Sequence, residues 1–169
     1  MNRDTTAEPI THVFDTETHT FADQLVLWSV RKWVMGHKGS PSALALLENA
    51  YARTSTDSAV AHLDLLMRAI TAGAARRIAV HAPCCAAVST DELLLIDAIA
   101  LAQAERKVDV AFLLRRFLTP EGARAASAPL RALAAALQHG GLRLTVRSGN
   151  GPLGHAAPLE SVVASAALN

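Results

Sequence analysis

His81, Cys84 and Cys85 form the one short stretch of this chain whose side chains together resemble a soft metal site. Thiolate sulfur and imidazole nitrogen are the ligands that select Zn2+, which takes four of them in a tetrahedron. Pro83 bars regular helix here, so the two adjacent cysteines can turn toward one ion. In a bundle of alternating helices, the loop after the first helix and the loop after the third lie at the same end. That topology brings His37 beside His81, Cys84 and Cys85 as a fourth ligand, while His62 and His139 fall at the other end. The expectation is a structural site of two His and two Cys, with zinc the only cofactor implied.

The same residues fit three other uses. A cysteine activated by His81 or His37 would be a nucleophile, and the protein a zinc- or thiol-dependent enzyme centred on Cys84, Cys85 and His81. The vicinal pair would serve as a redox sensor only through a strained bridge, because neighbouring Cα atoms sit about 3.8 Å apart. In the plainest case both cysteines are small fillers packed under a loop. Other motifs carry less. Gly149, Gly151 and Gly154 match a phosphate-loop pattern, but no following βαβ unit supports it, so the stretch reads as linker. No Glu-x-x-His pair suits a di-iron bundle, and no helix-turn-helix is legible.

The elements that must position these residues are helical. The chain has 169 residues and a mass of 17.8 kDa, with 51% hydrophobic and 18% charged residues, which excludes general disorder. Ala (34) and Leu (23), both strong helix formers, make up about a third of it. Helix starts are marked at Thr20 with Asp23, at Ser40-Pro41, in the cluster Thr54 to Asp57, at Ser89 with Glu92, and at Thr119-Pro120. The stops fall at Gly36, Gly73 and Gly140. These signals predict helices over about 20–35, 41–53, 57–72, 90–105, 107–118 and 120–138. Leu142, Leu144 and Val146 alternate with Arg143, Thr145 and Arg147 as a strand does, and residues 76–80 are its expected partner. The fold class is therefore all-α, an antiparallel bundle of five to six helices with at most a minor two-stranded β element. Residues 1–19 read as a flexible N-terminal arm, 20–147 as the helical domain, and 148–169 as a Gly/Pro loop with a short C-terminal helix or arm.

Function follows less directly. The first helix is apolar nearly all round, through Leu25, Val26, Leu27, Val30, Val34 and Met35, so it must be covered on every side. It is either central or a homodimer seam. Trp28 and Trp33, five residues apart, cannot share one stripe, so one of them is left for a partner surface. Net charge is +1 overall, yet residues 1–25 carry −4 and residues 106–147 carry +6. The basic half, with Arg115 and Arg116, suits the acidic half of its own chain or of a partner subunit, or a solvated face, better than nucleic acid, since no aromatic residues interleave with it. A nucleic-acid-binding regulator through 106–147 is the further alternative. No run reaches the ~18 apolar residues of a membrane span, and the polar start lacks a secretory pattern. The sequence thus predicts a cytoplasmic helical protein that acts by association, as a homodimer with a regulatory or scaffolding role.

Overall fold

A computed structural model describes residues 11–13 and 19–147. The elements run β1 (Thr11–Val13), α1 (Phe21–His37), α2 (Pro41–Arg53), α3 (Ser58–Gly73), β2 (Ala87–Ser89), α4 (Thr90–Gln103), α5 (Lys107–Leu114) and α6 (Pro120–His139). The fold is an all-α bundle with one minor β element. Among the described residues no helix is long and apolar enough to cross a membrane.

Two capping boxes set the helices that matter most. Thr20 and Asp23 cap α1 reciprocally, and Ser89 and Glu92 cap α4 in the same way. Thr119 caps α6 through Gly122 N–H, with Pro120 in the first turn. The centre of the bundle is α4: every residue from Asp91 to Leu101 is buried, so it has no solvent face. It packs on α1, α5 and α6, and α3 lies along α6 in the most extensive helix pair. That pair closes where Gly73 meets Gly122 backbone to backbone. Helix α1 buries Leu25, Val26, Leu27, Val30 and Trp33, but leaves Phe21 and Met35 in solvent. It is therefore covered on most sides without being the central helix.

Three local expectations need correction. The β element is not 76–80 with 142–147. It is β1 paired antiparallel with β2, Thr11 opposite Ser89 and Val13 opposite Ala87. Residues 142–147 do bury Leu144, as their alternation predicts. Their backbone is served by a side chain in place of a strand. The Gln103 amide donates to Leu142 O (2.8 Å) and accepts from Leu144 N–H (2.9 Å). Residues 79–81 are likewise bonded by the first turn of α4, through Ser89, Asp91 and Glu92. The fifth helix ends at Leu114, short of Leu118, because Leu118 forms a β-bridge with Ala74, and Phe117 O accepts from Ala75 N–H. Of the arm at 1–19, Thr11–Val13 make the strand. The loop and short helix expected over 148–169 lie outside the described residues.

Candidate functional site

The irregular segment after α3 is organised by one buried side chain, Arg31 of α1, which is 4% exposed. A guanidinium has five N–H donors, and all five are used here. Nε donates to Glu92 Oε1 (2.7 Å) and Nη2 to Glu92 Oε2 (3.0 Å), a side-on bidentate pair. The remaining donors reach backbone carbonyls of the loop: Cys85 O (2.6 Å) and Ala87 O (2.6 Å), with a longer bond to Ala82 O (3.4 Å). The Glu92 carboxylate also accepts from His81 N–H (3.1 Å) and Ser89 N–H (2.8 Å). One ion pair thus ties α1, the loop and the start of α4 together. Helix α4 offers its N-terminal dipole to Glu92, which helps hold the charge without water.

This arrangement determines where the predicted ligands sit. His81 Nδ1 donates to Ala87 O (3.0 Å) and lies 3.6 Å from Glu92 Oε2. Cys84 is exposed and Cys85 half-buried, and both are free thiols. His37 stands elsewhere, at the end of α1. Its ring stacks on Trp33 with centroids 3.7 Å apart, Nδ1 donates to Trp33 O (3.0 Å), and Nε2 is 3.8 Å from Asp64. Among the described residues, no three His, Cys, Asp or Glu side chains are grouped to hold a metal ion. Arg31 and Glu92 hold the backbone of the loop in place.

Two more polar clusters flank the pinned loop on α4. Arg76 grips Asp91 with two hydrogen bonds (2.9 and 2.6 Å), and Ala79 N–H adds a third (2.8 Å). Burial opposes the charge on Asp91, but these bonds and the Arg76 charge outweigh it and hold the carboxyl below its usual range. Further along, Asp97 pairs with Arg147 (2.7 Å). There burial dominates, only partly offset by Arg147, and with Asp23 nearby the Asp97 carboxyl is raised.

The two aspartates therefore have opposite pH signatures. The Asp91 contribution is present above the unfolded carboxyl range and is lost as pH falls through the depressed folded value. Arg76→Met should thus be less stable than wild type at pH 7, and the gap should close below about pH 4. For Asp97 the native state binds its proton more readily, so that contribution grows as pH falls through the raised value. Asp97→Asn should lack that gain. Urea titrations at a series of pH values check both.

The predicted partner residues fall on three surfaces. Trp33 is buried, its indole N–H donating to Asp64 (2.9 Å), and it forms part of the floor of an open cleft of about 450 Å3 between α1, α2 and α3. Trp28 is half-buried with the Lys32 ammonium over its ring at 5.6 Å, and it lines a shallow apolar groove with Phe21 and Leu25. Arg115 and Arg116 are exposed at the C-terminal end of α5. The basic stretch is less basic outside than its sequence suggests. Arg147 is taken up by buried Asp97, while Arg106 and Arg124 pair with Asp109 and Glu121.

Nothing local in the sequence marks Arg31, Gln103 or Phe112, and Val108, expected on the apolar face of the fifth helix, is 83% exposed. For Arg31 the signal is not local: a cation within an otherwise apolar helix must find a partner when that helix is covered. Comparison with protein-family models, curated proteins and solved structures finds no match for this chain.

Proposed function

We infer that the protein acts by association, through copies of itself, with the helical bundle as a rigid support. The observation that carries this is the outward face of α5. Val108 is 83% exposed and Phe112 53% exposed. They are four residues apart and so adjoin on one face. Isolated apolar residues on a surface are ordinary, but Val108 and Phe112 adjoin as one exposed apolar patch with Lys107 and Arg115 at its flank. Among the described residues no carboxylate pairs with Lys107 or Arg115, which flank them. The groove at Phe21 and Trp28 is a second apolar surface of the same kind. Light scattering across a concentration series is the test. The expected result is a mass that rises from monomer to dimer or beyond as concentration rises, with association weakened but not abolished by added salt, which screens the charged flank. A constant monomer mass would refute it.

Thiol chemistry at Cys84 is the second reading, favoured by one observation. The carbonyls of Cys85 and Ala87 are pinned by Arg31, with a longer bond to Ala82 O before the thiols, so the exposed Cys84 sits on a held backbone, as a recognition or reactive loop requires. It predicts that Cys84 reacts with an alkylating reagent in the native state well before Cys85. Equal, slow labelling of both would remove it.

A further inference from the structure

The α5 face needs a counterpart, and this chain carries one. The cleft between α1, α2 and α3 has an apolar floor of Trp33, Leu44, Leu47 and Val60, and an acidic rim of Glu48, Asp57 and Asp64. Asp64 is already committed to Arg68 and Trp33. Glu48 and Asp57 are exposed, and among the described residues no cation pairs with either. Ala61 lies at the cleft, and Leu65, 56% exposed, follows it on the same face of α3.

The two surfaces complement each other in three respects. One presents a projecting apolar pair, Val108 and Phe112. The other is a concave apolar cleft of about 450 Å3, ample for an aromatic ring and within the range of sites that enclose ligand groups. Among the described residues, Lys107 and Arg115 are cations without an ion pair, and Glu48 and Asp57 are anions without one. A ring entering the cleft would also meet the Trp33 indole, and aromatic pairs in offset or edge-on contact add to plain burial.

We propose that the α5 face of one copy docks into the acidic cleft of a second copy, with Phe112 against Trp33 and with Lys107 and Arg115 against Glu48 and Asp57. This rests on the reading that the protein self-associates, and it specifies the surfaces. The contact joins two different patches, so each copy offers one of each kind. It therefore either closes on itself reciprocally or extends from copy to copy. Apolar anchoring supplies affinity, and the opposed charges set register and partner choice.

The test is a mixing experiment with Phe112→Asp and Ala61→Arg, both at exposed positions. Each variant should melt as wild type does. Each alone should sediment as a monomer at concentrations where wild type associates. Mixed one to one they should form dimers, because the intact α5 face of the Ala61→Arg copy meets the intact cleft of the Phe112→Asp copy. Should either variant fold poorly, Arg115→Glu should weaken association about tenfold, and Glu48→Arg in the other copy should restore most of it. If both variants associate as wild type does, self-association stands and this pairing of surfaces is wrong. If each is monomeric and the mixture stays monomeric, the two faces do not meet each other. A wild type that is monomeric throughout defeats both the pairing and the reading beneath it.

Discussion

Arg31→Ala should lower the stability of the folded chain by about 3–5 kcal/mol, since it leaves Glu92 as a buried charge without its counter-ion. For a domain of this size the melting temperature would fall by about 6–20 °C. The loss has two parts. One is the uncompensated carboxylate, whose side chain is 0% exposed. The other is release of the Cys85 and Ala87 carbonyls, each of which accepts at 2.6 Å from the guanidinium. The second part has its own readout. The loop carrying Cys84 and Cys85 should open, so that both thiols are labelled faster and amide protection is lost around His81 and Ser89. Arg31→Lys should fall between, because an ammonium keeps the charge but cannot serve the carboxylate side-on and three carbonyls together. Thermal unfolding alongside thiol labelling measures both parts. An Arg31→Ala variant that melts as wild type does would mean that Glu92 takes up a proton or finds water, and that the loop holds itself.

Gly122→Ala should be destabilising where helix propensity predicts the opposite. At an ordinary position in α6, Ala is better than Gly by about 1 kcal/mol. Here the added Cβ would sit 2.6 Å from Gly73 Cα and 2.5 Å from Gly73 O, both backbone atoms that cannot rotate away. The helices must part instead. Parting strains the Gly73 O bond to Thr119 N–H (2.9 Å) and loosens the core beneath, where Leu63, Met67 and Ile70 of α3 and Leu130, Leu133 and Leu137 of α6 are buried. Overpacking of this kind costs about 1–3 kcal/mol, and more when rigid backbone is involved. Gly36→Ala is the control. Its Cβ would meet Cγ and Cδ2 of the Leu44 side chain at 2.7 Å, and that side chain can change rotamer where backbone cannot, so a smaller loss is expected. Chemical denaturation of the two variants distinguishes them by the size of the loss. A stabilised Gly122→Ala would show that the α3–α6 contact is looser than described.

How much was legible depended on whether a feature was local. The capping boxes at Thr20–Asp23 and Ser89–Glu92 lie within four residues of sequence, and both form as read. The alternation of Leu142, Leu144 and Val146 correctly marked an inward face, with Leu144 in the core and its neighbours packed against it. It did not show that Gln103, some forty positions earlier, would take the place of a strand partner. Which helix is central was not legible for a related reason. Both α1 and α4 are apolar on several sides, and only packing decides which is enclosed. The cysteine loop was correctly singled out as irregular. What holds it, Arg31 on a helix far upstream, belongs to tertiary structure. The placement of His37 rested on helix direction alone, and its stack on Trp33 depends on ring contacts that direction does not specify.

The central claim is that the exposed α5 face is a self-association surface. Sedimentation velocity of wild type beside Phe112→Asp, at matched concentrations spanning the micromolar range, tests it most directly. Wild type should shift to dimer or larger as concentration rises, while Phe112→Asp stays monomeric with an unchanged melting temperature. A wild type that remains monomeric, or a Phe112→Asp variant that associates equally well, would contradict it.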